Sequence, residues 1–146
     1  MADFEEILTM WETDSKIDNF SLDSELTKTG NLHAKYIRER ATAKLKVHKL
    51  DRDYREKREW KRRYFKGDFN NPDDLKRYGV EPYRGSSINV DVENALNSDA
   101  ELNDILLKKN YNEEIVVVCD AIIRELGNRT FALGSAVKWN IFQSGG

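Results

Sequence analysis

The chain has 146 residues, 39% hydrophobic and 34% charged, with two prolines and eight glycines. That is enough for one modest core, and it excludes collagen-like, proline-rich and membrane-spanning chains, because no stretch approaches the ~20 apolar residues that cross a bilayer. The net charge of −2 conceals an asymmetry: residues 1–34 carry −6, residues 35–66 carry +9 and residues 67–146 carry −5. Fourteen of the 24 Lys and Arg residues fall between positions 35 and 66, so a local positive field is expected on an acidic molecule. The start, MADFEEILTMWE, lacks the basic flank and apolar run of a signal peptide, and the single Cys119 cannot close an internal disulfide. A reducing cytosolic setting is the expectation.

In chain order, Phe4, Ile7, Leu8 and Trp11 predict a short amphipathic helix that needs a partner surface. From Leu22 to Tyr54 a long seam follows at alternating steps of four and three: Leu22, Leu26, Thr29, His33, Tyr36, Arg40, Ala43, Val47, Leu50 and Tyr54. That 3.5-residue period is the seam of a coiled coil or helix bundle. It predicts one helix, or two joined near Gly30, ending around Lys66 with Gly67 as its C-terminal cap. Residues 67–97 read as a connector with a helical turn at Asn71-Pro72-Asp73-Asp74. The alternation of Ile88, Val90 and Val92 is strand-like without a partner strand and is expected to be an extended loop. Ser98-Asp99-Ala100-Glu101 forms a capping-box pattern with Ser98 as the cap. Helix is expected beyond it, with breaks near Asn110 and at Gly127-Asn128. The β-branched run from Ile115 leaves a buried strand as an alternative there. Apolar residues from 115 to 142 cover more than one face, which points to burial against another subunit.

The basic segment carries the strongest functional signal. Lys44, His48, Arg55, Arg58, Arg62 and Lys66 share a helical stripe, and beyond Tyr54 the seam positions themselves become Lys57 and Lys61, where a helix that no longer offers apolar side chains is expected to have left its core. Trp60, Tyr64 and Phe65 lie among these cations. Charges that track phosphates beside rings that stack on bases suit sequence-tolerant single-strand binding. The candidate nucleic-acid-binding residues are therefore Lys57, Arg58, Trp60, Lys61, Arg62, Arg63, Tyr64, Phe65 and Lys66. The opposing reading is a solvated helix laced by pairs such as Glu56 with Arg52 and Glu59 with Arg55 or Arg63. With five acids against fourteen bases in the segment, most of its cations are expected to lack a partner. A structural adaptor that docks its basic helix on an acidic protein partner is the alternative function.

Enzyme signatures are nearly absent. Asp73, Asp74 and Lys76 superficially match the carboxylates and lysine of a metal-dependent nuclease, but their fusion in one turn favours a helix start. His33 and His48 have no companion at ligand spacing, so no metal or cofactor is expected. Cys119, in an apolar run, reads as a buried small hydrophobe.

The order of these segments resembles a known family. Lys61-Arg62-Arg63-Tyr64-Phe65-Lys66-Gly67 is followed by Asp73-Asp74-Leu75-Lys76-Arg77-Tyr78, Leu96-Asn97-Ser98-Asp99, Cys119-Asp120-Ala121-Ile122-Ile123 and Asn128-Arg129-Thr130-Phe131-Ala132-Leu133. Over nearly the whole chain this is similar to the UvsY-type recombination mediators of T-even-type bacteriophages. The resemblance implies a non-enzymatic protein in the cytoplasm of an infected bacterial host. Such a protein would bind single-stranded DNA and help a phage recombinase replace the phage single-strand-binding protein on it. The family's DNA-contact motif places Lys, a small residue and Arg just before an aromatic pair and glycine. Matched back from Gly67, Tyr64 and Phe65 take the aromatic places and Lys61 the Arg place, while Trp60 replaces the small residue and Glu59 the Lys. The resemblance further implies a ring of six or seven subunits. Its expected contact residues are Ile115, Val118, Ile122, Leu126, Phe131, Leu133, Val137 and Ile141. The expected architecture is all-α: an N-terminal helical DNA-binding region (1–66), the connector (67–97) and a C-terminal helical oligomerisation region (98–146), with no membrane partner.

Overall fold

The computed structural model describes residues 3–69 and 71–145, which form five α-helices and no strand. These are α1 (Phe4–Asp14), α2 (Leu22–Phe65), α3 (Pro72–Tyr78), α4 (Asn89–Asn97) and α5 (Ala100–Gln143). The all-α class expected from the sequence holds. Among the described residues, no helix is long and apolar enough to cross a membrane. The chain divides into two compact units, Met1–Lys46 with Tyr111–Gly146 and Val47–Asn110, and both long helices run through each.

In the first unit, α1 starts at a capping box: Asp3 accepts from the Glu6 N–H (2.9 Å) and Glu6 accepts from the Asp3 N–H (3.2 Å). Ile7 then enters a core with Leu32, Tyr36, Ala43, Ile122 and Leu126. Trp11 meets the Tyr36 ring edge-on at 5.7 Å. The Tyr36 hydroxyl donates to Asp14 Oδ2 at 2.9 Å, and Lys35 donates to the same oxygen at 2.7 Å. Burial alone would raise the Asp14 pKa, but these two donors outweigh it and hold it below its ordinary value. Burial and the facing carboxylate push the Tyr36 hydroxyl well above its own. Arg129 is buried under the end of α1, where it donates to the carbonyls of Asp14 (3.3 Å) and Ser15 (2.6 Å) with its guanidinium over the Trp11 ring. A cation there answers the negative end of the helix dipole. Cys119 is fully buried, and burial pushes its thiol up to about 11.

Two expectations change here. The α2 seam holds at Thr29, Tyr36, Ala43 and Val47, but at its start Glu25 and Leu32 are buried rather than Leu26 and His33. Glu25 is turned inward because Oε1 accepts from the Asp18 N–H of the incoming loop (3.2 Å). The helix α5 is also unbroken through Asn110 and Gly127-Asn128, and Ile115–Cys119 is helical. The glycine penalty of ~1 kcal/mol is offset by a continuous buried stripe of Cys119, Ile122, Leu126, Arg129 and Leu133 on either side of it.

In the second unit, α2 stops as expected. Gly67 sits at φ +80°, its N–H donates to the Tyr64 carbonyl (3.0 Å), and the Asp68 N–H donates to the Arg63 carbonyl (3.1 Å). This is a Schellman motif, which needs a left-handed residue at its turn. Next, α3 begins where Asn71 accepts from the Asp73 N–H (2.9 Å) with Pro72 in the first turn. Asp73 and Asp74 are therefore first-turn residues at the positive end of a helix. The expected extended loop at 88–92 is instead the start of α4. Val92 and Leu96 lie on one face of that helix and bury together with Leu102, while Tyr54 and Phe65 pack against them; Ile88 and Val90 stay exposed. The helical period decided, since only one member of the alternating trio is buried. The cap of α5 is Asp99 rather than Ser98: Asp99 Oδ2 accepts from the Leu102 N–H (3.0 Å), and Glu101 turns away toward Lys57.

Candidate nucleic-acid interface

The second unit gathers the last five turns of α2, α3, α4 and the start of α5, and it contains all nine candidate binding residues. It sorts them by direction. Four cations of α2 turn toward carboxylates of the same unit. Lys61 is buried, with Nζ at 2.7 and 2.8 Å from the two Asp99 oxygens. Lys57 donates to Glu101 at 2.8 Å. Arg58 and Arg62 both reach Glu93 on α4, Arg58 at 2.9 Å, and Arg58 Nη1 is buried without a hydrogen-bond partner. Hydrogen bonds from Arg62 and Lys57 respectively are the main reason that Glu93 and Glu101 lie below their ordinary pKa values.

This corrects two expectations. Lys61 does not mark the point where α2 leaves its core, because it closes the core with a buried ion pair. The segment's cations are also less free than local counting suggests, since the partners of Lys57, Arg58, Lys61 and Arg62 come from α4, from Asp99 at the cap of α5 and from the first turn of α5. Of the pairs expected within the segment, none is formed among the described residues; Arg55 instead pairs with Asp51 at 3.1 Å.

The remaining candidates behave differently. Arg63 and Lys66 are exposed, and neither has a carboxylate within ion-pairing distance among the described residues. The Arg63 guanidinium lies 5.4 Å from the Phe69 ring centre. Trp60 stacks on Tyr78 at 4.5 Å and 12° and lies nearly parallel to the buried Phe69 at 6.3 Å and 8°. Tyr64 donates to the Glu81 carbonyl, and Phe65 packs against Val92, Leu96 and Leu102. An aromatic assembly of Trp60, Tyr64, Phe69, Tyr78 and Tyr83 thus lines one side of α2. Phe69, Tyr78 and Tyr83 were missed from sequence. Their signal was a cluster of rings just after Gly67, in a stretch that otherwise reads as a connector.

The residues expected at subunit contacts divide in a similar way. Ile115, Ile122, Leu126 and Leu133 are buried within the first unit, and Val118 and Val137 are partly buried. Phe131 (79% exposed) and Ile141 (54%) are open, as are Trp139 and Phe142, which were not among the expected contact residues. Trp139 and Phe142 stack on each other at 5.7 Å.

With this geometry in place, the comparisons with known proteins are specific. A family described as "Recombination, repair and ssDNA binding protein UvsY" matches residues 10–146. Two crystal structures of the bacteriophage T4 recombination mediator protein UvsY share the fold at 14% identity. Lattice type II has a TM-score of 0.78, with 99% of each chain covered. Lattice type IV has a TM-score of 0.77, with 97% of this chain and 99% of that one covered. No curated protein matches the chain by sequence. At 14% identity the structural likeness speaks for the fold, and the family match spans both units with all nine candidate residues. The chain belongs to the UvsY family.

Proposed function

We propose that this protein is a non-enzymatic recombination mediator that binds single-stranded DNA and helps a recombinase take the place of single-strand-binding protein during phage recombination in the host cytoplasm. The observation that carries the reading is the end of α2, where unpaired basic side chains border a set of stacked aromatic rings. Cations hold the phosphates of a flexible strand without reading its sequence, and rings receive its bases at ~1–3 kcal/mol each.

We further infer that the C-terminal part of α5 drives assembly into a ring of six or seven subunits. Support comes from the exposed Phe131, Trp139, Ile141 and Phe142, apolar side chains that a soluble monomer would leave in water. A ring turns one weak site into a series of intramolecular contacts, which raises the apparent affinity without any new contact. Strand replacement then follows from differential binding: a strand held on the ring favours the recombinase-bound state over the competitor-bound state.

The test is a salt titration of binding to an unstructured oligonucleotide, with the mass of the protein in solution measured alongside. A log–log slope near −3 to −4, as ~4–6 phosphate contacts predict, together with a mass of six or seven subunits, supports the reading. Negligible binding at low salt, with capture by an acidic protein instead, would establish the adaptor function in its place.

A further inference from the structure

The Trp60–Tyr78 pair is a wall shared by two cavities of the second unit. The first is a groove of about 540 Å³ also lined by Arg55, Arg63, Glu56 and Glu59. The second is a cavity of about 440 Å³, lined in part by Arg77 at the end of α3 and by the paired Lys57 and Lys61. Arg63 lines the first and Arg77 the second, so each cavity that shares the ring pair carries one of these arginines. Each guanidinium lies 5.4 Å from a ring centre, Arg63 over Phe69 and Arg77 over Tyr78. Both are exposed, and neither has a carboxylate within ion-pairing distance among the described residues.

On the strength of the DNA reading above, we propose that Arg77 and Arg63 form the phosphate-binding pair of the single-strand site. The strand crosses the edge of the Trp60–Tyr78 stack, while Lys57, Arg58, Lys61 and Arg62 serve to hold α4 and α5 against α2. The division follows from what each cation would have to give up. Binding a phosphate at Lys61 would strip Asp99 of its two short bonds inside the protein and leave a carboxylate desolvated there. Arg58 and Arg62 would have to release Glu93, and with it α4. Arg63 and Arg77 give up only water. Guanidinium groups suit this work because they donate in a planar fork to phosphate oxygens while resting on an aromatic face. Glu56 and Glu59 lie two turns and one turn before Arg63 on α2 and repel a phosphate there, which confines the backbone of the strand to the arginine end of the groove. The exposed rims of Trp60 and Tyr78 then receive a base. On this assignment α3 belongs to the binding site rather than to a passive connector.

The experiment measures binding of an oligo-dT strand from 50 to 300 mM salt by fluorescence anisotropy, with helical content checked by circular dichroism. Counting about 0.7 of slope per single-strand phosphate contact, Arg77→Ala should flatten the log–log slope by about 0.7 per protomer engaged. Extrapolated against 1 M salt, that is about an eightfold loss of affinity at 50 mM. Arg63→Ala with Arg77→Ala should flatten it by about 1.4. Arg77→Lys, which keeps the charge, should retain the slope. An abasic strand of equal length should bind several-fold more weakly than oligo-dT. If Arg77→Ala binds like the unaltered protein while Arg63→Ala does not, α3 is outside the site and the proposal fails. Equal binding of abasic and oligo-dT strands removes the rings from it. If the unaltered protein binds no strand at all, the DNA reading itself falls, which is a result distinct from binding that ignores Arg77.

Discussion

As α2 passes through the first unit it buries Leu32, Tyr36 and Ala43 against Ile122 and Leu126. In the second unit the same helix buries Val47 and then Lys61, and its neighbours there are held by Glu93, Asp99 and Glu101. The apolar cluster of the second unit has only three fully buried members, Val92, Leu96 and Leu102. One unit is thus held mainly by apolar contact and the other largely by charge pairing and stacked rings. The difference has a functional sense. On the proposed DNA reading, a helix that shows cations to a nucleic acid cannot also bury a wide apolar face, so part of its basic charge is turned inward and neutralised to hold the neighbouring helices in place. The rest stays outside.

The largest expected effect lies in the apolar unit. Leu126 is fully buried, so Leu126→Ala should cost about 3–5 kcal/mol in denaturant unfolding; a loss below about 1 kcal/mol would mean that this core is loosely packed. A smaller effect is expected at the buried ion pair. Lys61→Met keeps most of the side-chain volume but leaves Asp99 without its cation, and should cost about 2–3 kcal/mol. Adding Asp99→Asn should recover at least half of that, because asparagine still caps α5 and carries no charge. Additive losses in the double variant would show that the two groups are not coupled.

What could be read from the sequence depended on how local its cause was. The capped start of α3 at Asn71-Pro72, the Gly67 stop and the seam from Tyr36 to Val47 follow from neighbours within a turn or two, and all were legible. So was the burial of Cys119. The ion pairs of α2 were not. Their carboxylates lie 31 to 44 residues away in sequence, beyond the reach of any argument from helical spacing. For the same reason Lys61 looked like a solvent-facing cation and Asp99 like an inner member of a capping box. The helix α4 was misread because the alternation of Ile88, Val90 and Val92 outweighed the four-residue step from Val92 to Leu96, and only the partners Tyr54 and Phe65 decide between them. Of the candidate site, the basic and aromatic composition was visible, but the direction of each side chain was not.

Acid should separate the two units most cleanly, though by the smallest free-energy change. Asp51, Glu93 and Glu101 in the second unit have pKa values held below the ordinary carboxylate range, chiefly by hydrogen bonds from Lys109, Arg62 and Lys57. In the first unit only Asp14 shares that direction among the described residues. A carboxylate depressed in the folded protein contributes stability that is complete above its unfolded pKa and is lost as pH falls through the folded one. Stability should therefore be level above about pH 6 and decline below about pH 5, with the second unit weakening first. Hydrogen exchange at pH 7 and near pH 4, corrected for intrinsic rates, should show the Val92–Leu96 amides of α4 losing protection before the buried turn of α1 around Ile7 does, since the stability contributed by the Glu93 that ties α4 to Arg58 and Arg62 begins to be lost once the pH falls into the range where an unfolded carboxylate takes up a proton.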